Sequence, residues 1–557
     1  MKKQYLLLFL AILIICSPNL LIIYTGIDSV TGTLTKKIVF LLLSTSIVLV
    51  PLYWIKPKIY IGFLTFIIPF VFFELYHIST FEAISSEEAI LSIYLTNYHE
   101  ASELLSSNLP LLLIALITLS LYIYIIIKLK PSFVLSKKSK NIILLSFITI
   151  LSILFIRNSL LAYKMNDNWE ERVRACKYSF NVLFRKTFPT GFFMKASNVI
   201  KGIKSKEEYQ KDIENFSFSA KKIDSINQQE IYVLVIGETA RKHNFGVYNY
   251  KRNTTPNLDT IKNLAVFKNV KTSANVTSLS IPFMLTRATP DNINIKLNEP
   301  CLVAPFKEAG FKTYWLSNQT YSVGSIFGFY ADQADVYKNV STTMDSATLD
   351  GTLLPILDKV ITDNSASKKL IIFHTIGSHF RYNYRYPEKY NVFTPTLEKG
   401  LSIEGATNIS KKTEIINSYD NSIRYTDYFL HQVINQLKKS QAVSFMYYIS
   451  DHGENLFDDG SNKIVHGYNI PSKYELEIPL IIWFSDLYKN TFPNKFAIAN
   501  QNIYQKISSV NTFHTLLDLS NIYYPSQNLS KSFSNRNFDT LQKRRFYAIN
   551  KKVLDLE

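Results

Sequence analysis

Two apolar segments of this 557-residue chain end in side chains that can bind a divalent metal. Glu238 follows the run IYVLVIG, and Asp451 and His452 follow the run SFMYYIS. Carboxylate oxygens and a neutral imidazole nitrogen are ordinary zinc ligands. Each residue also has a purely structural explanation, as a helix-capping acid or a hydrogen-bonded buried histidine. If the two segments are neighbouring strands, one sheet edge carries three potential ligands, as in a catalytic zinc site with an open position.

The elements that would position these side chains are short apolar runs, which alternate with helical stretches from Glu230 onward. The runs cover residues 231–238, 265–270, 312–317, 368–379, 442–453 and 478–486. Strands that are apolar on both faces and separated by helices are typical of parallel sheets. We therefore expect an α/β domain with a largely parallel sheet flanked by helices. In such domains, ligands bind beyond the carboxyl ends of the strands.

The first third of the chain has a different pattern, with long uninterrupted apolar segments. They cover approximately residues 5–24, 38–55, 59–77, 108–127 and 142–162. A helix needs about 20 apolar residues to cross a bilayer, so the pattern predicts five transmembrane helices. Lys2 and Lys3 precede the first segment as in a signal peptide, but no small-residue cleavage site follows. We interpret it as a retained helix.

Under the positive-inside rule, lysines predict that three regions lie in the cytoplasm: the N-terminus and two of the loops between segments. The lysines are Lys2 and Lys3 before the first segment, Lys56 and Lys58 between the second and third, and Lys128, Lys130, Lys137, Lys138 and Lys140 between the fourth and fifth. The loop between the third and fourth segments is rich in glutamate instead, and Lys36 and Lys37 are the one discordant pair. The pattern predicts a transmembrane domain over 1–163, an amphipathic linker over 164–228 and an exported domain over 229–557.

The formal net charge of +17 restricts the partners of the exported domain. Such a charge suits nucleic acid, but an exported domain rarely meets it, and we expect no nucleic-acid partner. Anionic lipid or phosphorylated saccharide is the more suitable partner for a basic domain near a membrane. The alternative is that the lysines only solvate the surface. Three cysteines exclude a disulfide-rich scaffold, although Cys176 and Cys301 are able to form one pair.

A set of motifs in this order makes the chain similar to a known family. They are IGETARKHNFGVYNYKRNTTPNLD (236–259), ANVTSLSIPFML (274–285), HTIGSHFRYNYRYP (374–387), NSYDNSIRYTD (417–427) and SDHGENL (450–456). Together they resemble the bacterial phosphoethanolamine transferases that modify lipid A and the lipopolysaccharide core. These enzymes belong to the alkaline phosphatase/sulfatase superfamily. The resemblance implies a multi-pass protein of the bacterial inner membrane, with a sulfatase-like catalytic domain in the periplasm.

The resemblance also implies the residues of the reaction centre. Glu238, Thr277, Asp451 and His452 match the zinc ligands of the family, and Thr277 matches its nucleophile. Thr277 lies where a loop enters a predicted helix, so that helix-terminal N–H groups could hold phosphate oxygens. Zn²⁺ would lower the pKa of the hydroxyl group. From the residues alone, Ser278, Ser280 and Thr272 remain competing nucleophiles.

Further residues match positions on the substrate side of the family's site. They are His379, His466, Thr96 and Glu100, the last of which could hold an ethanolamine ammonium group by charge pairing. Where relatives often have an asparagine followed by a lysine, this chain has Asn318 and Gln319 but no lysine. This difference resembles the core-modifying branch, and it leaves the acceptor open.

The function implied is the transfer of phosphoethanolamine from phosphatidylethanolamine to lipopolysaccharide, on a core sugar or on lipid A, through a phosphothreonine intermediate. A phosphoglycerol transferase or another hydrolase of the superfamily in the envelope is the alternative with the same fold. A sulfatase would need an arginine beyond Pro282, which SIPFM does not provide. A non-catalytic envelope protein is the alternative of another class.

Overall fold

The chain forms two units, which are considered separately. The computed structural model describes residues 1–26, 33–81, 84–95, 109–165, 169–321, 324–341, 348–401 and 406–556. Within them, the N-terminal unit is Met1–Ile203 and the C-terminal unit is Lys204–Glu557. The three cysteines Cys16, Cys176 and Cys301 are free thiols.

Helices make up the N-terminal unit. They are α1 (Lys2–Thr25), α2 (Leu34–Leu49), α3 (Pro57–Phe63), α4 (Ile68–Phe81), α5 (Glu87–Leu95), α6 (Leu109–Lys128), α7 (Lys137–Met165), α8 (Trp169–Lys186) and α9 (Thr190–Ile213). Among the described residues, four segments are long and apolar enough to cross a membrane: Lys2–Thr25, Leu34–Tyr53, Pro57–Ser79 and Lys137–Tyr163. The fourth predicted segment, 108–127, corresponds to α6, whose described apolar stretch, Leu113–Lys128, is shorter.

A cluster of charged side chains is buried inside this helical unit. Glu74, on α4, accepts hydrogen bonds from the backbone N–H and the hydroxyl of Ser85, at 3.0 and 2.5 Å. Lys195, on α9, donates to the carbonyl oxygen of Ser85 at 2.5 Å. Glu74 is 2% exposed and Lys195 is 6% exposed. Two charges of opposite sign therefore meet at one backbone segment, where hydrogen bonds offset the cost of removing them from water.

Strands and helices alternate in the C-terminal unit, as the sequence predicts. The strands are β1 (Lys221–Lys222), β2 (Glu230–Gly237), β3 (Leu264–Phe267), β4 (Val270–Lys271), β5 (Lys312–Ser317), β6 (Val336–Asn339), β7 (Lys368–His374), β8 (Val443–Ser450), β9 (Asn455–Leu456), β10 (Ile464–Val465), β11 (Leu480–Phe484), β12 (Ile507–Ser508), β13 (Ile522–Tyr523), β14 (Arg545–Tyr547) and β15 (Val553–Asp555). The helices are α10 (Thr277–Leu285), α11 (Ile295–Asn298), α12 (Val303–Glu308), α13 (Ile326–Ala331), α14 (Leu354–Thr362), α15 (Lys412–Ser440), α16 (Lys473–Leu476), α17 (Asp486–Thr491), α18 (Pro493–Gln501) and α19 (Asn511–Leu519).

The central sheet has seven strands in the order β3-β11-β8-β2-β7-β5-β6. The five strands from β8 to β6 are parallel, but β11 is antiparallel to both of its neighbours, β8 and β3. The expectation of a largely parallel sheet therefore holds for four of the six strand pairs, and β11 makes the sheet mixed. Parallel neighbours need a long crossover, usually a helix, whereas antiparallel neighbours do not. The chain between β8 and β11 contains the short strands β9 and β10 and the four-residue helix α16, and it returns in the opposite direction.

Both faces of this sheet are covered, which explains why its strands are apolar throughout. All eight residues of β2 are buried. Alternate residues of a strand point to opposite faces, and β2 accordingly contributes to two cores. Tyr232, Leu234 and Ile236 lie in a core with residues of α10 and α19, and Ile231, Val233 and Val235 lie in a core with residues of α14 and α15. Each fully buried aliphatic side chain contributes about 1.5–3 kcal/mol, and this rigid sheet carries the site.

Candidate metal centre

The carboxyl ends of β2 and β8 bring the three potential ligands together. The strands are parallel neighbours, and Gly237 is paired with Ser450. Glu238 and Asp451 are the next residues of each strand, and the Asp451 N–H donates to the Gly237 carbonyl at 3.0 Å. One ligand atom each from Glu238, Asp451 and His452 lies within 4.8 Å of the other two. All three side chains are at most 1% exposed.

The hydrogen bonds of this cluster leave lone pairs facing one another. His452 Nδ1 lies 3.0 Å from the Gly453 carbonyl, which can only accept, so Nδ1 carries a proton and, in the neutral form that binds a metal, Nε2 carries the lone pair. Nε2 lies 3.3 Å from Asp451 Oδ2 and 3.7 Å from Glu238 Oε1. Among the described residues, Asp451 Oδ2 is buried without a hydrogen-bond donor. Three buried acceptors at this separation fit a cation, and a histidine that donates its other N–H to a carbonyl is typical of metal ligands.

The pKa values of the two carboxyl groups are shifted in opposite directions. Burial and the neighbouring Glu238 raise the pKa of Asp451. Burial also opposes ionisation of Glu238, but the facing His452 and His379, with hydrogen bonds from Thr239 and Gln319, outweigh it and lower its pKa. Two carboxyl groups that share one buried site do not both ionise readily. The pair therefore needs an added positive charge in order to be doubly ionised at neutral pH.

Thr239 is held in an unusual conformation beside these ligands. Its φ of 58° is in the left-handed region, which is costly for a β-branched residue, at roughly 1–3 kcal/mol. Its N–H donates to Asp451 Oδ1 at 3.0 Å, and its hydroxyl donates to Glu238 Oε1 at 2.6 Å. Tyr419 donates to its carbonyl at 2.8 Å. Thr239 thus links both carboxylates, a role that sequence analysis did not assign although Thr239 follows Glu238 directly.

Thr277 faces the cluster from the first residue of α10, where the sequence predicts a loop to enter a helix. Its hydroxyl lies 3.3 Å from Glu238 Oε2 and 3.5 Å from His452 Nε2. Because α10 begins at this residue, N–H groups of its first turn are available to an anion beside the hydroxyl. Of the candidate nucleophiles, Thr277 is the one whose hydroxyl oxygen lies beside the potential ligand atoms of Glu238 and His452.

The other candidate nucleophiles occupy different positions. Ser280 and Thr272 are fully buried, and their hydroxyls donate to the carbonyl of Asp451 at 2.5 and 2.7 Å. They support the backbone of a ligand residue. Ser278 is exposed on α10. The geometry therefore favours Thr277.

His379 and His466 also have defined hydrogen bonds. His379 Nδ1 lies 2.7 Å from the Phe380 carbonyl, which leaves its Nε2 with a lone pair. His466 Nδ1 lies 2.7 Å from Glu454 Oε2, and its ring lies 4.0 Å from that of His452. Burial and then His452 lower the pKa of His466 well below its usual value. His466 is therefore suited to be a neutral imidazole near the cluster.

Glu454 and Tyr382 form a supporting pair that sequence analysis missed. Tyr382 donates its hydroxyl proton to Glu454 Oε1 at 2.5 Å, while Glu454 Oε2 contacts His466. Burial raises the pKa of Glu454 to about 8. The sequence did contain a sign of this pair: Glu454 lies two residues after His452, and a carboxylate at that position can orient an imidazole.

Asn318 and Gln319 are adjacent in sequence, but their side chains hydrogen-bond to different parts of the unit. Gln319 donates through Nε2 to Glu238 Oε2 at 2.8 Å and to the Thr375 carbonyl at 2.9 Å. Asn318 is 1% exposed and donates to Asp350 at 2.9 Å. Gln319 therefore orients the Glu238 carboxylate, whereas Asn318 holds a buried loop. Thr96 and Glu100 lie outside the described residues.

Known proteins resemble this chain in sequence and in the structure of its C-terminal unit. The sulfatase family model matches residues 230–522. The chain is 29% identical to phosphoethanolamine transferase EptC of Escherichia coli over 470 residues, 81% of this chain and 78% of that protein. It is 33% identical to Kdo(2)-lipid A phosphoethanolamine 7''-transferase of Salmonella typhimurium over 271 residues, 46% of this chain and 44% of that protein. The crystal structure of the C-terminal periplasmic domain of Escherichia coli EptC in complex with Zn superposes with a TM-score of 0.54 and 31% identity, over 60% of this chain and 94% of that domain.

Proposed function

The chain belongs to the sulfatase family and, within it, to the phosphoethanolamine transferases, and we propose that it transfers phosphoethanolamine from phosphatidylethanolamine to lipopolysaccharide. The observation that carries this proposal is the position of the Thr277 hydroxyl, 3.3 Å from Glu238 Oε2 at the edge of a buried acceptor cluster. A hydroxyl at the start of a helix, beside a cation site, suits covalent phosphoryl transfer.

Glu238, Thr277, Asp451 and His452 are the residues that would hold Zn²⁺. The support is the buried oxygen Asp451 Oδ2, which has no hydrogen-bond donor among the described residues, and the convergent lone pair of His452 Nε2. Zn²⁺, when bound, would supply a positive charge that favours the alkoxide of Thr277 and stabilises phosphoryl oxygens. Thr239 donates to the Asp451 carboxylate and Gln319 donates to the Glu238 carboxylate, and these hydrogen bonds keep both carboxylates oriented toward the metal position.

The reaction takes place in two displacements. In the first, Thr277 Oγ1 attacks the phosphorus of phosphatidylethanolamine, its bond to phosphorus forms, and the bond to the diacylglycerol oxygen breaks. In the second, a hydroxyl or phosphate oxygen of lipopolysaccharide attacks the same phosphorus and releases Thr277. The imidazole of His379 or of His466 accepts the proton of the attacking hydroxyl through Nε2 and returns it to the departing oxygen. Glu454 holds His466 in the orientation that this needs.

The membrane arrangement follows from the lipid substrates. We infer a multi-pass protein of the bacterial inner membrane with five spans, the N-terminus in the cytoplasm and the catalytic domain in the periplasm. The domains are the transmembrane part (1–163), the amphipathic linker (164–228) and the catalytic domain (229–557). Thr96 and Glu100 lie in the loop that we assign to the lipid headgroup. A tether to the membrane raises the effective concentration of two lipid substrates.

The test is to incubate the purified full-length protein, loaded with zinc, with phosphatidylethanolamine and to map the modified peptide by mass spectrometry. We expect one phosphoethanolamine on Thr277, release of diacylglycerol, and transfer of the group when lipopolysaccharide is added. Phosphatidylglycerol in a parallel reaction is the control for donor identity. A phosphoglycerol adduct in that reaction and none with phosphatidylethanolamine would favour the phosphoglycerol transferase instead. Modification of Ser278 would contradict the assignment of the nucleophile.

A further inference from the structure

A cavity of about 360 Å³ opens in the C-terminal unit, in the segment between β7 and α15. Its walls come from residues 383–399 and from Leu349. This volume is near the lower end of the range for small-molecule sites, roughly 300–1,000 Å³. None of the groups assigned above to metal binding or phosphoryl transfer lines it. The cavity is therefore a second candidate binding site.

The lining combines flat apolar rings with hydrogen-bonding groups. Tyr384, Tyr386 and Pro387 provide the rings, and the polar groups are Asn391, Glu388 and Lys399. A tyrosine ring offers an apolar face and a polar edge, while amides, carboxylates and ammonium groups hydrogen-bond to hydroxyl groups. A sugar ring has both an apolar face and a rim of hydroxyls. The lining is too polar for an acyl chain, and Lys399 suits a saccharide that carries phosphate or carboxylate.

The walls are held in place by hydrogen bonds from outside the cavity. Asn421, on α15, donates to the Asn391 side-chain oxygen at 3.2 Å and to the Phe393 carbonyl at 3.0 Å. Its own side-chain oxygen accepts from the N–H groups of Val392 and Phe393, at 3.1 and 2.9 Å. The Tyr384 hydroxyl accepts from the Gly400 N–H at 2.9 Å. A site that is formed before its ligand arrives loses less entropy on binding.

The same segment reaches the metal centre with its other side chains. Tyr382 donates to Glu454, the residue that holds His466. Arg385 Nε donates to the carbonyl of His379 at 2.9 Å. Leu349, in the cavity wall, precedes Asp350, whose carboxylate accepts from the backbone N–H groups of the segment before His379. The cavity and the reaction centre are therefore connected by one hydrogen-bonded segment.

We propose that this cavity binds a saccharide unit of the acceptor, so that the acceptor is recognised by its sugar as well as by the oxygen that receives the group. The inference rests on the proposed transfer to lipopolysaccharide. It assigns recognition of the acceptor to residues 383–399, and it leaves recognition of the donor to other parts of the chain. Changes in the cavity should therefore affect the second displacement and spare the first.

The experiment measures the two displacements separately in the zinc-loaded, full-length protein. The variants are Tyr384→Ala, which removes a ring, and the double variant Glu388→Gln/Lys399→Gln, which changes only exposed side chains. Tyr504→Ala is the matched control, because Tyr504 is a 71% exposed tyrosine of the same unit that does not line the cavity. The first displacement is followed by diacylglycerol release and the second by the rate of transfer at several lipopolysaccharide concentrations.

We expect both cavity variants to raise the KM for lipopolysaccharide about tenfold, with diacylglycerol release and the control unchanged within about twofold. Delipidated core oligosaccharide should inhibit the second displacement competitively and protect the backbone amides of 383–400 from hydrogen exchange. An unchanged KM in both variants, or an equal loss in both displacements, would overturn the cavity assignment. Absence of diacylglycerol release by the wild-type protein would instead overturn the proposed function itself.

Discussion

Two buried clusters of ionisable groups, one in each unit, differ in how their hydrogen bonds are completed. In the helical unit, both oxygens of Glu74 accept from Ser85, and Lys195 supplies a positive charge to the same segment. In the C-terminal unit, Glu238 and Asp451 place two carboxylates side by side. Asp451 Oδ2 there is buried without a donor among the described residues.

The difference distinguishes a structural role from a binding role. A buried polar network whose members are all satisfied adds rigidity, whereas an unsatisfied buried oxygen costs free energy unless something binds to it. The Glu74 cluster contains donors, acceptors and both signs of charge. The Asp451 cluster contains mainly acceptors, and a bound cation would complete it. The two clusters should therefore respond in opposite ways to removal of a carboxylate charge.

The largest effect is expected at the nucleophile. Thr277→Ala should reduce transfer by at least about 10³-fold, because the covalent step is lost. Three protein ligands remain, so most of the zinc should stay bound. Ser278→Ala is the control, since Ser278 is exposed on the same helix, and it should transfer at nearly the wild-type rate. The measurements are the transfer rate and the zinc content of each variant. Equal losses in both variants would contradict the choice of Thr277.

Asp451→Asn separates metal binding from folding. The variant should lose most of its zinc and its activity, because a neutral amide is a poor zinc ligand. In the absence of zinc, however, it should unfold at a temperature no lower than that of the zinc-free wild type. An amide nitrogen in the place of Asp451 Oδ2 would donate to His452 Nε2, which lies 3.3 Å from that oxygen in the wild type. Thermal unfolding with and without a chelator measures this. If the zinc-free variant unfolds at a clearly lower temperature than the zinc-free wild type, the cluster is not a site that needs a bound cation.

Gln319→Ala tests the support of a single ligand. Loss of the hydrogen bond to Glu238 Oε2 should weaken zinc binding by roughly 10–100-fold, the range for residues that orient metal ligands. Zinc titration against a competing chelator measures the affinity. Asn318→Ala is a comparison at the adjacent position, and it should reduce stability through Asp350 while affecting zinc affinity less. Equal affinities of the Gln319 variant and the wild type would show that the contact has no positioning role.

Glu74→Gln should have the smallest effect of these variants. In contrast to Asp451→Asn, it should reduce stability and leave zinc binding unchanged. One oxygen would lose its acceptor role, and Lys195 would lose a nearby negative charge. We expect a destabilisation of about 1–3 kcal/mol, with no change in zinc content. Unfolding in detergent measures it. Glu208→Gln is the control, because Glu208 forms an exposed ion pair with Lys204, and such pairs contribute only about 0–1 kcal/mol.

Local sequence patterns predicted the elements of this fold well. The run KTYWLS corresponds to β5, Lys312–Ser317, and the predicted helix at Thr277 begins at that residue. The pattern missed β6, Val336–Asn339, because this edge strand is mostly exposed and carries little apolar signal. It also did not indicate that β11 runs antiparallel, since apolar runs report burial and not direction.

By itself, the sequence determined where most buried strands of the central sheet lie, and that Glu238, Asp451 and His452 end apolar runs. Only the tertiary structure decided which hydroxyl faces these ligands, because Thr277, Ser280 and Thr272 are chemically similar. It also assigned Gln319 to Glu238, although 81 positions separate the two residues. The physical reason is range: apolar periodicity is a property of neighbouring residues, whereas a hydrogen bond depends on how distant strands pair and on where their ends meet.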